Sequence, residues 1–204
     1  MSPTRPRPDR ATAEAAVRTL IEWIGEDPQR DGLHDTPARV VKAFEEYYNG
    51  YTQDADAVLS KTFDETGGYT GAVLVRDIRF ESRCEHHMAP FIGKVHIAYL
   101  PAAQPDTRVL GLSKLARLVD VYAHRMQTQE RLTAEITAAL ARNVANRGVA
   151  VMIEAEHFCM KVRGVHRDDA FTVTSEFTGA YRDDASMRAA FYLQAKGQPH
   201  PTTP

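Results

Sequence analysis

Between residues 72 and 178 the hydrophobic period changes twice, and that change limits the fold more than any other feature of the chain. Val, Ile, Phe and Tyr crowd residues 72–82 and 91–100, which predicts two β-strands. Leu115, Leu118, Val119 and Tyr122 then recur at helical spacing, as do Leu132, Ile136, Leu140 and Val144, with Gly148 closing the second helix. From Val149 the period returns to two: Val151, Ile153 and Ala155 share one face, and Phe171, Val173, Ser175 and Phe177 alternate with Thr172, Thr174, Glu176 and Thr178. Two strands, two helices and two strands with polar rows predict an α+β fold, an antiparallel sheet with helices on one face.

Two more helices are expected upstream. Ala15, Ala16, Leu20, Trp23 and Ile24 form an apolar stripe that Gly25 ends. Thr36 is the expected cap of the next helix and Pro37 suits its first turn, with Val40, Val41, Phe44, Tyr47 and Tyr48 following until Asn49-Gly50. The chain therefore divides into a disordered tail at 1–10, a helical region at 11–70, the strand-and-helix core at 71–195 and a Pro-containing tail at 196–204, with a terminal helix expected from Asp183.

No run of about 18 apolar residues occurs, so no membrane span is expected, and the Arg- and Pro-bearing N-terminus lacks the apolar segment of a secretory signal. A cytoplasmic protein is expected. A formal charge of -2 gives no general attraction to nucleic acid. In a reducing compartment Cys84 and Cys159, the two cysteines, are metal ligands, reactive thiols or core filler rather than a disulfide.

Their surroundings favour a metal. Cys84-Glu85-His86-His87 lies between two expected strands, where a short turn can aim a thiolate and an imidazole at one ion. Adjacent His86 and His87 cannot both reach that ion through one tight turn, so His87 is assigned to it and His86 becomes an acid-base candidate. Cys159 sits in His157-Phe158-Cys159-Met160-Lys161, beyond a different strand. In extended chain His157 and Cys159 point to one face, which adds His157 to the acid-base candidates. Two thiolates and one imidazole leave a fourth zinc position open, the catalytic rather than the structural pattern.

Gly111-Leu112-Ser113-Lys114-Leu115-Ala116-Arg117 reads as an anion site: Ser113 caps a helix, and Lys114 and Arg117 stand together near its N-terminus. Cations there oppose the helix dipole unless an anion sits between them and the free N–H groups; a solvated face is the alternative. Lys161, Arg163 and Arg167 add positive charge near Cys159. Gln129-Glu130 opens the longer helix, where Glu130 either compensates the dipole or accepts two adjacent N–H donors, as on the N1/N2 edge of guanine.

Taken together, these segments resemble the GTP cyclohydrolase I family from about Gly32 to Phe191. The matching pieces are Thr36-Pro37-x-Arg39-Val40, Cys84-Glu85-His86-His87-x-x-Pro90-Phe91-x-Gly93-Lys94, Gly111-Leu112-Ser113-Lys114, Gln129-Glu130-Arg131-Leu132, His157-x-Cys159-Met160 and Arg163-Gly164-Val165. The resemblance implies a tunnelling fold (T-fold), a four-stranded antiparallel sheet with two helices that assembles into rings, a decamer here, with sites at subunit boundaries. It implies Zn2+ on Cys84, His87 and Cys159, acid-base work by His86 and His157, and guanine recognition by Glu130 with Gln129 beside it. Glu85 and Gln129 are counted with the catalytic set. Ser113, Lys114, Arg117 and Arg163 would contact the triphosphate of GTP. The implied reaction opens the guanine imidazole ring at C8, releases formate and recloses to 7,8-dihydroneopterin triphosphate. The chain departs from the family pattern at Met126, where Pro is usual, and near Asp169-Ala170, where Ser is common.

Overall fold

The computed structural model describes residues 6–197 apart from 65, 67 and 104. Of the expected tails at 1–10 and 196–204, residues 1–5 and 198–204 fall outside these, while Arg10 already opens a helix and Lys196 closes one. Two units pack within themselves, residues 1–48 and 49–204.

The first unit is a helix pair. Asp9 caps α1 (Arg10–Trp23), accepting from the Thr12 N–H, and Gly25 leaves the helix at a φ of 90°. α2 (Thr36–Tyr47) carries Pro37 in its first turn, where a missing N–H leaves no intrahelical bond unmade. Thr36 is not the cap, as expected, but the first helical residue; Asp35 holds the cap position without a side-chain bond. Ile21 is buried, whereas Leu20, Trp23 and Ile24 of the expected stripe are exposed.

The second unit opens with a 3-10 turn (Asn49–Thr52), α3 (Ala55–Leu59) and β1 (Thr62–Phe63). The long strands β2 (Val73–Cys84) and β3 (Pro90–Pro101) follow, then β4 (Val109–Leu110), α4 (Leu112–Ala123), β5 (Met126–Gln127) and α5 (Gln129–Asn143). β6 (Asn146–His157), α6 (Phe158–Lys161), β7 (Thr172–Phe177), α7 (Gly179–Asp183) and α8 (Ala185–Lys196) complete it. The main sheet has the order β5-β2-β3-β6-β7, and β1 pairs separately with β4. The α+β class holds, but the sheet is five-stranded and mixed rather than four-stranded and antiparallel. Its extra member, β5, runs parallel to β2 through only Arg83↔Met126 and Cys84↔Gln127, too short a pairing to leave a period in the sequence.

The core lies between one sheet face and α4–α5. Phe91, Val95, Ile97 and Tyr99 of β3 and Val149, Val151, Ile153 and Ala155 of β6 all point to it, meeting Leu115, Leu118 and Val119 of α4 and Leu132, Ile136 and Leu140 of α5. Complete burial of each Leu, Ile or Phe contributes about 1.5–3 kcal/mol. The sheet's other face is half covered by α7 and α8, whose Tyr181 and Phe191 pack on Ala98, Ala150 and Met152. Helices thus occupy both faces, not one. α5 also ends earlier than expected, at Asn143, and β6 starts at Asn146, ahead of Gly148.

Gly93 belongs to the inward row of β3, where a Cβ would stand 1.9 Å from the Glu154 carbonyl oxygen and 2.7 Å from the Ala155 Cα. Backbone atoms of the adjoining strand cannot swing aside as a side-chain end can. Gly93→Ala is therefore expected to cost about 3 kcal/mol or more, the upper range for overpacking, and to lower the melting temperature by roughly 10 °C. An unchanged melt would contradict this close approach of β3 to β6.

Candidate functional site

Cys84 ends β2, and its N–H donates to the Ala89 carbonyl at 2.9 Å while Met88 N–H donates back to the Cys84 carbonyl at 2.8 Å. Met88 takes a φ of 55°, so the chain reverses within the Glu85–His87 turn and enters β3 at Pro90. The other approach comes from β6, whose last residue, His157, pairs with Phe91 across the sheet. α6 begins at once, so Cys159 rides on a helical turn. His157 and Cys159 were expected to share a face of extended chain; they reach one cavity because the backbone coils between them.

The ligand atoms of Cys84, His87 and Cys159 all lie within 4.8 Å of one another. A tetrahedral zinc with bonds of about 2.0–2.3 Å holds its ligands roughly 3.3–3.8 Å apart, so slight closure would seat an ion. Two thiols and an imidazole also form a donor set of the softness zinc prefers. Burial pushes the Cys159 thiol up, and nearby Cys84 adds to the rise; a divalent cation between them reverses that preference. His86 Nδ1 stands 3.8 Å from the Cys84 sulfur, outside the three-residue group.

A cavity of ≈ 250 Å³ gathers Cys84, His86, His87, Gln129, Glu130, His157 and Cys159. His157 stacks on Phe91 with ring centroids 4.7 Å apart and planes 2° from parallel, and its Nε2 is 2.8 Å from Gln129 Oε1. Burial lowers the His157 pKa, a shift that the Glu130 charge opposes. A larger groove of ≈ 510 Å³ lies on the opposite sheet face among Arg79, Ile92, Lys94, Glu154, Phe158 and Phe171. It holds neither thiol nor imidazole, whereas the smaller cavity gathers both.

Other nominated residues are placed differently. Glu85 turns away from the cavity to pair with Arg131 at 2.8 Å. Arg163 donates to His87 Nε2 at 3.0 Å, next to the triad, whereas Lys161 is paired with Glu156. Ser113, Lys114 and Arg117 lie away from the triad. α4 ends near it, where Ser82 Oγ donates to the Ala123 carbonyl, but Ser113 and Lys114 sit in its first turn, near Tyr99, whose hydroxyl accepts from Leu110 N–H, and Arg117 stands midway along it. Twelve helical residues span about 18 Å. Ser113 is not the cap either: Gly111 is, without a side-chain bond, and Ser113 falls in the first turn.

The model of the GTP cyclohydrolase I family matches residues 13–196. The chain belongs to the GTP cyclohydrolase I family, a family of hydrolases. It is 52% identical over 194 residues to the GTP cyclohydrolase 1 of Sinorhizobium fredii, covering 95% of this chain and 93% of that protein. It is 53% identical over 198 residues to the GTP cyclohydrolase 1 of Allorhizobium ampelinum, covering 97% and 96%. Among solved structures it is similar to the apo form of the archaeosine synthase QueF-Like, with a TM-score of 0.41 and 17% identity over 53% of this chain and 92% of that one.

Within this cyclohydrolase family member, Arg131 is the residue that sequence reasoning left without a role. It reaches Glu85, Gln127 Oε1 at 2.9 Å and the Met126 carbonyl, tying the Cys84–His87 turn to the start of α5. A cation in the first turn of a helix was the available signal, the same one that drew attention to Lys114. Met126, the departure from proline, uses the N–H that proline lacks to donate to the Tyr51 hydroxyl at 3.1 Å.

Proposed function

We propose that the chain is a zinc-dependent GTP cyclohydrolase I that opens the guanine imidazole ring at C8, releases C8 as formate and recloses the product to 7,8-dihydroneopterin triphosphate. The observation that carries this reading is the convergence of two thiols and an imidazole within 4.8 Å, in a cavity that also holds two spare histidines and a carboxylate.

Cys84, His87 and Cys159 would hold Zn2+. Bound there, the ion supplies Lewis acidity and hydroxide at neutral pH. Glu130, exposed at the start of α5, accepts the N1 and N2 protons of guanine and so turns C8 toward the triad. His86 and His157 carry protons to and from the ring nitrogens as the C8–N bonds break, and serve again during ribose rearrangement and reclosure. Phe91 holds the His157 ring flat and restricts water on that side.

The triphosphate extends past a cavity of ≈ 250 Å³ toward Arg163. Ser113, Lys114 and Arg117 bind it from a neighbouring copy, since within one chain none of them lines this cavity and Ser113 and Lys114 stand at the far end of α4. The reading therefore includes a ring of subunits with the tunnelling fold, a decamer by family resemblance. Exposed rows at β7, where Val173 is 56% exposed, leave strand edges for such pairing. No described helix is long and apolar enough to cross a membrane. A reducing cytoplasm would keep the two thiols available as ligands.

Incubation with GTP is expected to build the pterin absorbance, to stop after chelation and to resume when Zn2+ is returned. Undiminished turnover in protein proven free of metal would sink the zinc assignment; no turnover in zinc-loaded protein would sink the function.

A further inference from the structure

The polar atoms behind His157 have a fixed direction. Gln129 is 1% exposed, and its Nε2 lies 3.1 Å from the Ile153 carbonyl, 2.9 Å from the Thr172 carbonyl and 3.2 Å from Thr174 Oγ1. Carbonyl oxygens only accept, so this end of the amide must be the NH2 group. The hydroxyls agree. Thr133 Oγ1 donates its one hydrogen to the Gln129 carbonyl at 2.8 Å, so its 2.7 Å contact with Thr174 is a donation from Thr174. Thr174 thereby presents a lone pair to Gln129. Reversing the amide would press Oε1 against two carbonyl oxygens in a buried site, where an unsatisfied polar group costs about 1–3 kcal/mol.

Oε1 is left for His157, 2.8 Å from its Nε2. An amide oxygen cannot donate, so the imidazole does. Phe91 covers one ring face, and Nδ1 is the remaining polar atom of a ring that lines the cavity.

We propose that Gln129 is a positioning residue that holds neutral His157 as the Nε2–H tautomer, leaving the Nδ1 lone pair as the ring's polar atom toward the cavity. This moves Gln129 from the catalytic set to the support behind it. The role of Nδ1 rests on the cyclohydrolase reading; the tautomer does not.

The test is 15N NMR of the full-length, zinc-loaded protein with labelled imidazoles at mildly alkaline pH, His157 being assigned by difference against His157→Asn. A protonated Nε2 and a bare Nδ1 are expected. Gln129→Met removes the acceptor, so the tautomers should mix and kcat for GTP should fall about tenfold or more, while KM stays within about twofold. A wild-type proton on Nδ1, an unchanged tautomer in Gln129→Met, or mixed tautomers with undiminished kcat overturns the proposal. Should Gln129→Met fail to fold, Gln129→Ala, which also removes the acceptor without burying a new polar atom, is read in its place beside the wild-type spectrum. The Nε2–H tautomer in a protein that does not turn over GTP would count against the cyclohydrolase reading and leave the tautomer standing.

Discussion

His87→Ala is expected to lose its metal and its turnover together, whereas His86→Ala keeps near-stoichiometric metal and loses only turnover. The difference follows from the turn after Cys84. His87 offers a nitrogen within 4.8 Å of both sulfurs, and His86, though 3.8 Å from the Cys84 sulfur, is not a member of that group. Removing one of three protein ligands leaves a site too weak to compete with water. Removing a proton carrier spares the ligands and should slow turnover by roughly 10²–10⁴, the usual contribution of general acid-base catalysis. Metal analysis and a GTP assay on the same preparations read both effects. A reversed pattern reverses the ligand assignment, and two variants that keep both metal and turnover would show the cavity to be the wrong site.

Mixing two inactive variants should restore activity. Lys114→Ala and His87→Ala damage separate places in one chain, because Lys114 stands in the first turn of α4, about 14 Å along the helix from its last residue. If each site joins the triad of one copy to the α4 start of the next, unfolding and refolding the two variants together places intact halves side by side in about a quarter of the sites. Activity should return to about that fraction of wild type. Lys114→Ala alone should impair GTP far more than guanosine, since its charge is assigned to the triphosphate. No recovery in mixed assemblies whose subunits have exchanged would contradict the shared site and return Lys114 and Arg117 to a solvated helix face.

Long periodic elements were legible in the sequence because burial repeats along them: Phe91, Val95 and Ile97 on a strand and Leu132, Ile136 and Leu140 on a helix each mark one face through many residues. β5 was not, since two residues carry no period, and α7–α8 were only half seen because Tyr181 and Phe191 pack a short, irregular second core. Cap positions slipped by one or two residues at Thr36 and Ser113, where a suitable side chain stands beside the true cap but makes no capping bond. The cysteine and histidine cluster was legible from residue type and spacing. What stands behind it was not. Gln129 reads in the sequence as a neighbour of Glu130 counted with the catalytic set, and only the fold sets its amide against Ile153, Thr172 and His157, residues 24 to 43 positions away. Arg131 likewise gains a role only when β5 brings the Glu85 turn beside α5. Even Gly93, quoted as a motif residue, acquires its reason from a strand more than sixty positions later, through the Glu154 carbonyl that a Cβ would strike.

The central claim is that this cavity removes one particular carbon from GTP. GTP labelled with 13C at C8 and followed by NMR in the presence of the zinc-loaded protein tests it most directly. The account predicts that the label leaves the nucleotide and appears in formate, one for each pterin formed. Label retained in the nucleotide product, or nucleotide consumed with no labelled formate, would contradict it.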